Sequence, residues 1–264
     1  MAFHLCALCI THRCQHRQSN FIFWRFPVNK YRYNSTIHFI KMHSAYSIHC
    51  LNYNNPVRKE SMTARFKQVG ITDFLMSPGV PLSDPRINPS LEPNTQKSHS
   101  CMFGHLDMIR HFLDNSDCPF GIFCEDDILI DTFFIPRMED ILRDFKQMNL
   151  DVLLLGYLFP YVLDHSGENT YHPYSPPPAT IWGTQMYMVS REWARAIIQK
   201  YGNADSPTLY DPFSADWTIT QEGNRRIVYP MLAIEDGNGK YDDEGQNYLH
   251  TLAHSAHLSI RTYI

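Results

Sequence analysis

Apolar residues along this chain alternate between two rhythms, short continuous runs and stripes repeating every three to four positions. Tyr46-Ser47-Ile48-His49-Cys50-Leu51 has strand composition, and the polar run Asn52-Tyr53-Asn54-Asn55-Pro56 ends it. Met62, Phe66 and Val69 then recur at helical spacing, with Gly70 placed to close the helix. Thr72–Met76 predicts a short second strand, and Pro78, Pro81, Pro85, Pro89 and Pro93 exclude regular structure from the loop that follows. A second helix, capped by Ser98 or Ser100, carries Met102, Leu106, Ile109 and Leu113 on one face.

Residues 120–130 form the densest apolar run, read as one buried strand, and Glu125-Asp126-Asp127 interrupts it. A helix with Phe134, Met138, Ile141, Leu142 and Phe145 comes next, and a further buried strand covers Asp151–Gly156. Periodicity then lapses through a Tyr-, Pro- and His-rich stretch around Pro176-Pro177-Pro178 and returns in a strand over 183–189. Ser190 is placed to cap a helix bearing Trp193, Ala194, Ile197, Ile198 and Tyr201. A loop with Asp205, Asp211 and Asp216 leads to a last short strand at 226–230, and the acidic, Gly-containing segment 235–245 is expected to be mobile. Strands alternating with helices predict an α/β fold with a mostly parallel sheet covered on both faces.

Composition fits that class: the chain has 264 residues, 44% of them hydrophobic and 19% charged. No apolar run is long enough to cross a membrane as a helix, and a net charge of −4 gives a nucleic-acid partner no support. That total conceals a break. Residues 1–43 hold six Lys or Arg and no acid, so the remaining 17 basic and 27 acidic residues amount to −10. We therefore expect 1–43 to be a basic leader outside the domain, with Met42 as an alternative start, followed by a catalytic domain over 44–232 and a tail over 233–264. The leader lacks a secretory signal pattern. Its Cys6, Cys9 and Cys14, with His4, His12 and His16, have zinc-ligand types but no second pair at finger spacing. The other cysteines read as reduced, which favours a cytoplasmic location.

Three adjacent acids in an apolar run need a reason. Carboxylates at the carboxyl end of a strand sit where open α/β sheets bind ligands, and a divalent cation with a substrate diphosphate would compensate their burial; a solvated acidic turn is the plain alternative. Extended alternation places Glu125 and Asp127 on one side and Asp126 on the other. His254 and His257 are metal-ligand types that read more simply as part of a solvated tail.

Several segments together resemble the family 25 glycosyltransferases, the lipopolysaccharide and procollagen galactosyltransferases. Cys50-Leu51-Asn52 with Arg58 and Met62 is similar to the family's opening, and Cys101 with Gly104-His105 to its Cys-x-x-Ser-His helix, where Gly104 departs from Ser. Glu125-Asp126-Asp127 matches its acidic motif. Gly183-Thr184-Gln185-Met186-Tyr187-Met188-Val189-Ser190-Arg191 with Ala194, then Asp216 and Tyr229-Pro230, resemble its later segments. The resemblance spans roughly residues 45–232. It implies a glycosyltransferase A-type, nucleotide-sugar-binding fold, a Mn²⁺ or Mg²⁺ cofactor, a uridine diphosphate sugar donor and a hydroxyl acceptor on a glycan or hydroxylysine, with inversion at the anomeric carbon. Asp127 and Glu125 are then the expected metal ligands. Asn52, Arg58, Glu125 and Asp126 are the expected donor contacts, Asp216 the general base, and His105 and Thr184 further site candidates. Capping of a helix by Asp216, a phosphoesterase activity and a non-catalytic sugar-binding module remain open from the residues alone.

Overall fold

The computed structural model describes residues 45–158, 163, 169–174, 181–236, 251, 252, 254, 255 and 257–264. The basic leader, the Pro176-Pro177-Pro178 stretch and residues 237–245 lie outside the described residues.

The described residues form strands and helices that include, in the order the periodicity predicts, the elements it places, with further short ones between them. They are β1 (Tyr46–Asn52), α1 (Pro56–Gln68), β2 (Leu75–Pro78), α2 (Pro93–Asn115), β3 (Phe120–Glu125), β4 (Ile128–Ile130), α3 (Phe134–Gln147) and β5 (Val152–Leu158). After these come β6 (Thr170–His172), β7 (Trp182–Ser190), α4 (Arg191–Tyr201), α5 (Ser206–Leu209), α6 (Ala215–Thr218), β8 (Arg225–Tyr229) and β9 (Ala233–Glu235). Seven strands form one sheet in the order β2-β1-β3-β7-β5-β8-β6. β1 pairs in parallel with β2 and β3, and β5 with β8; only β7 and β6 run against the rest. The α/β class and the mostly parallel strand direction are as predicted.

Alternation along the central strands divides the core in two. Leu51, Phe123, Leu154 and Tyr187 pack with Leu106 and Ile109 of α2 and Ile197 of α4 on one face. Their neighbours Cys50, Cys124, Leu153 and Met188 pack with Met62 and Phe66 of α1 and Met138 and Ile141 of α3 on the other. The sheet is thus covered by helices on both faces, and each large apolar side chain buried this way contributes about 1.5–3 kcal/mol.

Three boundaries differ from expectation. α2 begins at Pro93 rather than at Ser98 or Ser100, because proline at the first helical turn needs no amide partner; Ser100 donates instead to the Val80 carbonyl. β2 starts at Leu75, where its register with β1 begins. The run 120–130 is two strands rather than one: β3 lies in the main sheet, and β4 pairs with β9 in a separate two-stranded sheet. Asp126 and Asp127 form the turn between them.

The described residues after Leu232 pack into the domain. β9 completes the small sheet, and Ile130 and Ile264 exchange backbone hydrogen bonds of 2.9 and 3.0 Å. His254 and His257 are buried, not solvated. The His257 ring accepts from the Met231 amide at 3.3 Å and the His254 ring from the Glu235 amide at 3.4 Å. No helix among the described residues is long and apolar enough to cross a membrane.

Candidate functional site

The carboxyl ends of β1, β2 and β3 converge with the amino end of β7, which is brought to the same edge because β7 runs antiparallel between β3 and β5. A cleft of about 590 Å³ opens there. Tyr53, Val80 and Leu82 supply an apolar wall, Arg58 and Lys97 bring positive charge, and Glu125, Asp126 and Asp127 line it together.

The turn that ends β3 redirects these acids, so the alternation expected of an extended chain does not hold. Asp126 and Asp127 both face Arg58, whose Nη1 lies 3.3 Å from Asp126 Oδ1 and 3.2 Å from Asp127 Oδ2. α1 aims that guanidinium: Asn55 caps the helix by accepting from the Arg58 amide at 3.1 Å, with Pro56 at its start. Asn52 donates its side-chain amide to Asp126 Oδ2 and to the Asn55 carbonyl at 2.9 Å, while its own carbonyl accepts from Gly79. Its visible work is to hold Asp126 and the strand-to-helix turn.

Glu125 belongs to a different neighbourhood. The Thr184 hydroxyl lies 3.3 Å from Glu125 Oε1 and 3.2 Å from Asp216 Oδ1. One hydroxyl hydrogen serves only one of the two carboxylates at a time. Asp216 also accepts from the Thr184 backbone amide. Loss of solvent and the charge of Glu125 push the Asp216 carboxyl up to about 6 from its ordinary 3.8, against smaller opposing effects of His105 and Thr184. Asp216 is not the helix cap; that position belongs to Ser214, and Asp216 sits in the first turn of α6. The capping alternative therefore gives way to a carboxyl facing its neighbours across the site.

His105 is fully buried on α2, its Nδ1 3.0 Å from the Tyr187 hydroxyl and its Nε2 3.6 Å from Glu125 Oε1. Cys101, one turn earlier on the same helix, lines the cleft. Cys101, His105 and Glu125 each offer a ligand atom within 4.8 Å of the others. Burial, with help from Glu125, Asp216 and Asp127, raises the Cys101 thiol well above its usual range. From the sequence Cys101 reads as a reduced cysteine, and its i, i+4 spacing to His105 is what puts both on one helix face. Gly104 lies between them for a steric reason. A Cβ there would stand 2.8 and 2.9 Å from the two Leu51 methyls, so glycine lets α2 approach β1 closely.

No protein-family model matches the chain, and no curated protein matches it. Among solved structures it is similar to A197 from STIV, at 9% identity and TM-score 0.40 over 73% of this chain and 90% of that one. It is also similar to a glycosyltransferase involved in the glycosylation of the major capsid of PBCV-1, at 8% identity and TM-score 0.33 over 58% of this chain and 63% of that one. A third is TarS 1-349 of S. aureus, at 9% identity and TM-score 0.39 over 81% of this chain and 72% of that one. Likeness of this degree leaves function to be argued from the site.

Proposed function

We propose that the cleft binds a nucleoside diphosphate sugar and that the protein transfers its hexosyl group to a hydroxyl acceptor. The observation that carries this reading is the placement of Asp216, a carboxyl pushed up to about 6, beside Glu125, which lines the cleft together with Arg58 and Lys97. A cleft of about 590 Å³ falls within the usual range of about 300–1,000 Å³ for small-molecule sites. Its cations suit a diphosphate and its apolar wall a planar base.

In this reading Arg58 and Lys97 take the phosphates, and the wall of Tyr53, Val80 and Leu82 packs the nucleoside. Thr184 fixes the Asp216 carboxylate from two donors, its amide and its hydroxyl. Asp216 accepts the acceptor hydroxyl proton as the new glycosidic bond forms, because a base with a pKa near the working pH is mostly ionised yet still basic. Attack opposite the departing diphosphate gives inversion. Uridine as the base and galactose or glucose as the sugar follow the family 25 resemblance. Carboxylate oxygens suit Mn²⁺ or Mg²⁺, and Asp127 with Glu125 would hold such an ion. When bound, it would neutralise charge on the leaving diphosphate.

Thermal unfolding of the full-length protein with a panel of nucleotide sugars, with and without Mn²⁺, tests the reading. A ligand of the native state raises the unfolding temperature. Uridine diphosphate sugars should do so and sugars alone should not; a flat response across the panel contradicts the proposal.

A further inference from the structure

We propose that Cys101, His105 and Glu125 form a site for a borderline-soft transition metal of the Zn²⁺ or Co²⁺ class, reached from the cleft. The three ligand atoms lie within 4.8 Å of one another. Tetrahedral bonds of about 2.0–2.3 Å set ligand atoms roughly 3.3–3.8 Å apart, so rotation of the Cys101 and Glu125 side chains by up to about 1 Å would close the set around one ion. Two ligands come from one face of α2 and the third from the end of β3, so a long helix and a central strand fix the set.

The independent observation is His105. Its ring is fully buried, and its Nε2 has no hydrogen-bond partner although it points toward Glu125. A buried nitrogen left unsatisfied is costly, and a metal would satisfy it. The opposite nitrogen already has the support a metal-bound imidazole usually has, since Nδ1 lies 3.0 Å from the Tyr187 hydroxyl. On its other side Glu125 lies 3.3 Å from the Thr184 hydroxyl, which it shares with Asp216. Cys101 and Glu125 line the cleft, which gives the ion an entry path.

Sulfur, nitrogen and a single carboxylate favour Zn²⁺ or Co²⁺ over Mg²⁺, which requires near-octahedral oxygen ligation. Three protein ligands leave a fourth position for water or a substrate oxygen. Binding replaces the Cys101 S–H bond with a metal–sulfur bond and releases one proton to solvent. Glu125 is shared with the hard-ion reading of the cleft, but this site does not depend on sugar transfer or on Asp127.

The test is an anaerobic Co²⁺ titration of full-length protein stripped with chelator, without nucleotide. Cys6→Ser, Cys9→Ser and Cys14→Ser are introduced first to remove the other candidate thiolates. We expect a near-ultraviolet thiolate-to-cobalt absorption that saturates at one equivalent, is abolished by added Zn²⁺ and is unaffected by excess Mg²⁺. Cys101→Ser should remove the band, and His105→Gln should weaken Co²⁺ binding at least about tenfold, the lower end of the effect of removing even a supporting group. Asp127→Asn should leave the band intact, which separates this site from the hard-ion reading. Far-ultraviolet circular dichroism establishes that each variant is folded. Absence of the band in the starting protein, or an unchanged band in folded Cys101→Ser, overturns the proposal.

Discussion

Two groups of carboxylates meet at one edge of the sheet and are treated oppositely by their surroundings. Asp126 and Asp127 share the Arg58 guanidinium, and Asp126 also has the Asn52 amide, so their charge is matched in part, one cation for two carboxylates, where it is buried. Glu125 and Asp216 have between them one Thr184 hydroxyl, the Thr184 amide and the His105 ring, and no lysine or arginine among the described residues pairs with either. Matched charge makes structure: Asn52 and Arg58 tie β1, α1 and the β3 turn together. Unmatched charge stores reactivity, because burial and the Glu125 charge favour a proton on Asp216, and it is this second group that we assign to proton transfer and to the metal trio.

Removing one member of the unmatched pair should have the largest effect. Asp216→Asn should slow transfer by at least about a hundredfold while leaving donor affinity near wild type, since a base acting in the transition state contributes about 10²–10⁴-fold. The amide cannot accept the proton but keeps the shape, so Asp216→Asn should unfold no more readily than wild type above pH 6. Steady-state kinetics with donor titration, alongside thermal unfolding, checks both halves; near-normal transfer would move the base elsewhere in the site.

The pH dependence comes next. The fold keeps the Asp216 proton up to about pH 6, whereas the unfolded chain loses it near 3.8. Over that window the folded state binds more protons, so this group's contribution to stability falls as pH rises from about 4 to 6 and is level above. Transfer should run the other way, rising through about pH 6 as the base ionises. A rate profile flat from pH 5 to 8, or one falling through pH 6, would break the link between Asp216 and proton transfer.

Arg58→Ala makes the matched group resemble the unmatched one. It should weaken donor binding by about tenfold, the loss of one charge-assisted contact, and it should change the pH midpoint of transfer little. Calorimetric titration with uridine diphosphate measures the first and a pH–rate profile the second; unaltered binding would remove Arg58 from the phosphate site. The smallest effect is expected from Gly104→Ala. Its new methyl meets Leu51 at 2.8 Å, an overpacking of about 1–3 kcal/mol that the better helix propensity of alanine offsets by about 1 kcal/mol. Urea unfolding should show a net loss of that order, and a gain would mean that α2 and β1 separate freely.

Much of the scaffold was legible because strands and helices carry different periods. The stripe Met102, Leu106, Ile109 located α2, and the apolar runs around Ile122 and Leu154 located the central strands. What could not be read was where one apolar run breaks. Phe120 to Ile130 has the same character on both sides of the acids, yet backbone pairing assigns β3 and β4 to different sheets, and the turn gives Glu125 and Asp127 different partners within one cleft. Strand direction was equally silent: β7 runs antiparallel, and only that brings Thr184 beside Glu125. The neighbours of Asp216 therefore depend on tertiary pairing across more than thirty positions of chain, for which the local pattern of residues has no signature.

The most direct measurement is the carboxyl carbon titration of Asp216 by nuclear magnetic resonance, in metal-free wild type and in Glu125→Gln. Burial together with the Glu125 charge predicts a midpoint near 6 in wild type and a lower one once the Glu125 charge is gone. A wild-type midpoint near the ordinary 3.8, or one that Glu125→Gln does not move, would contradict the claim that the Glu125 charge helps hold the proton on Asp216.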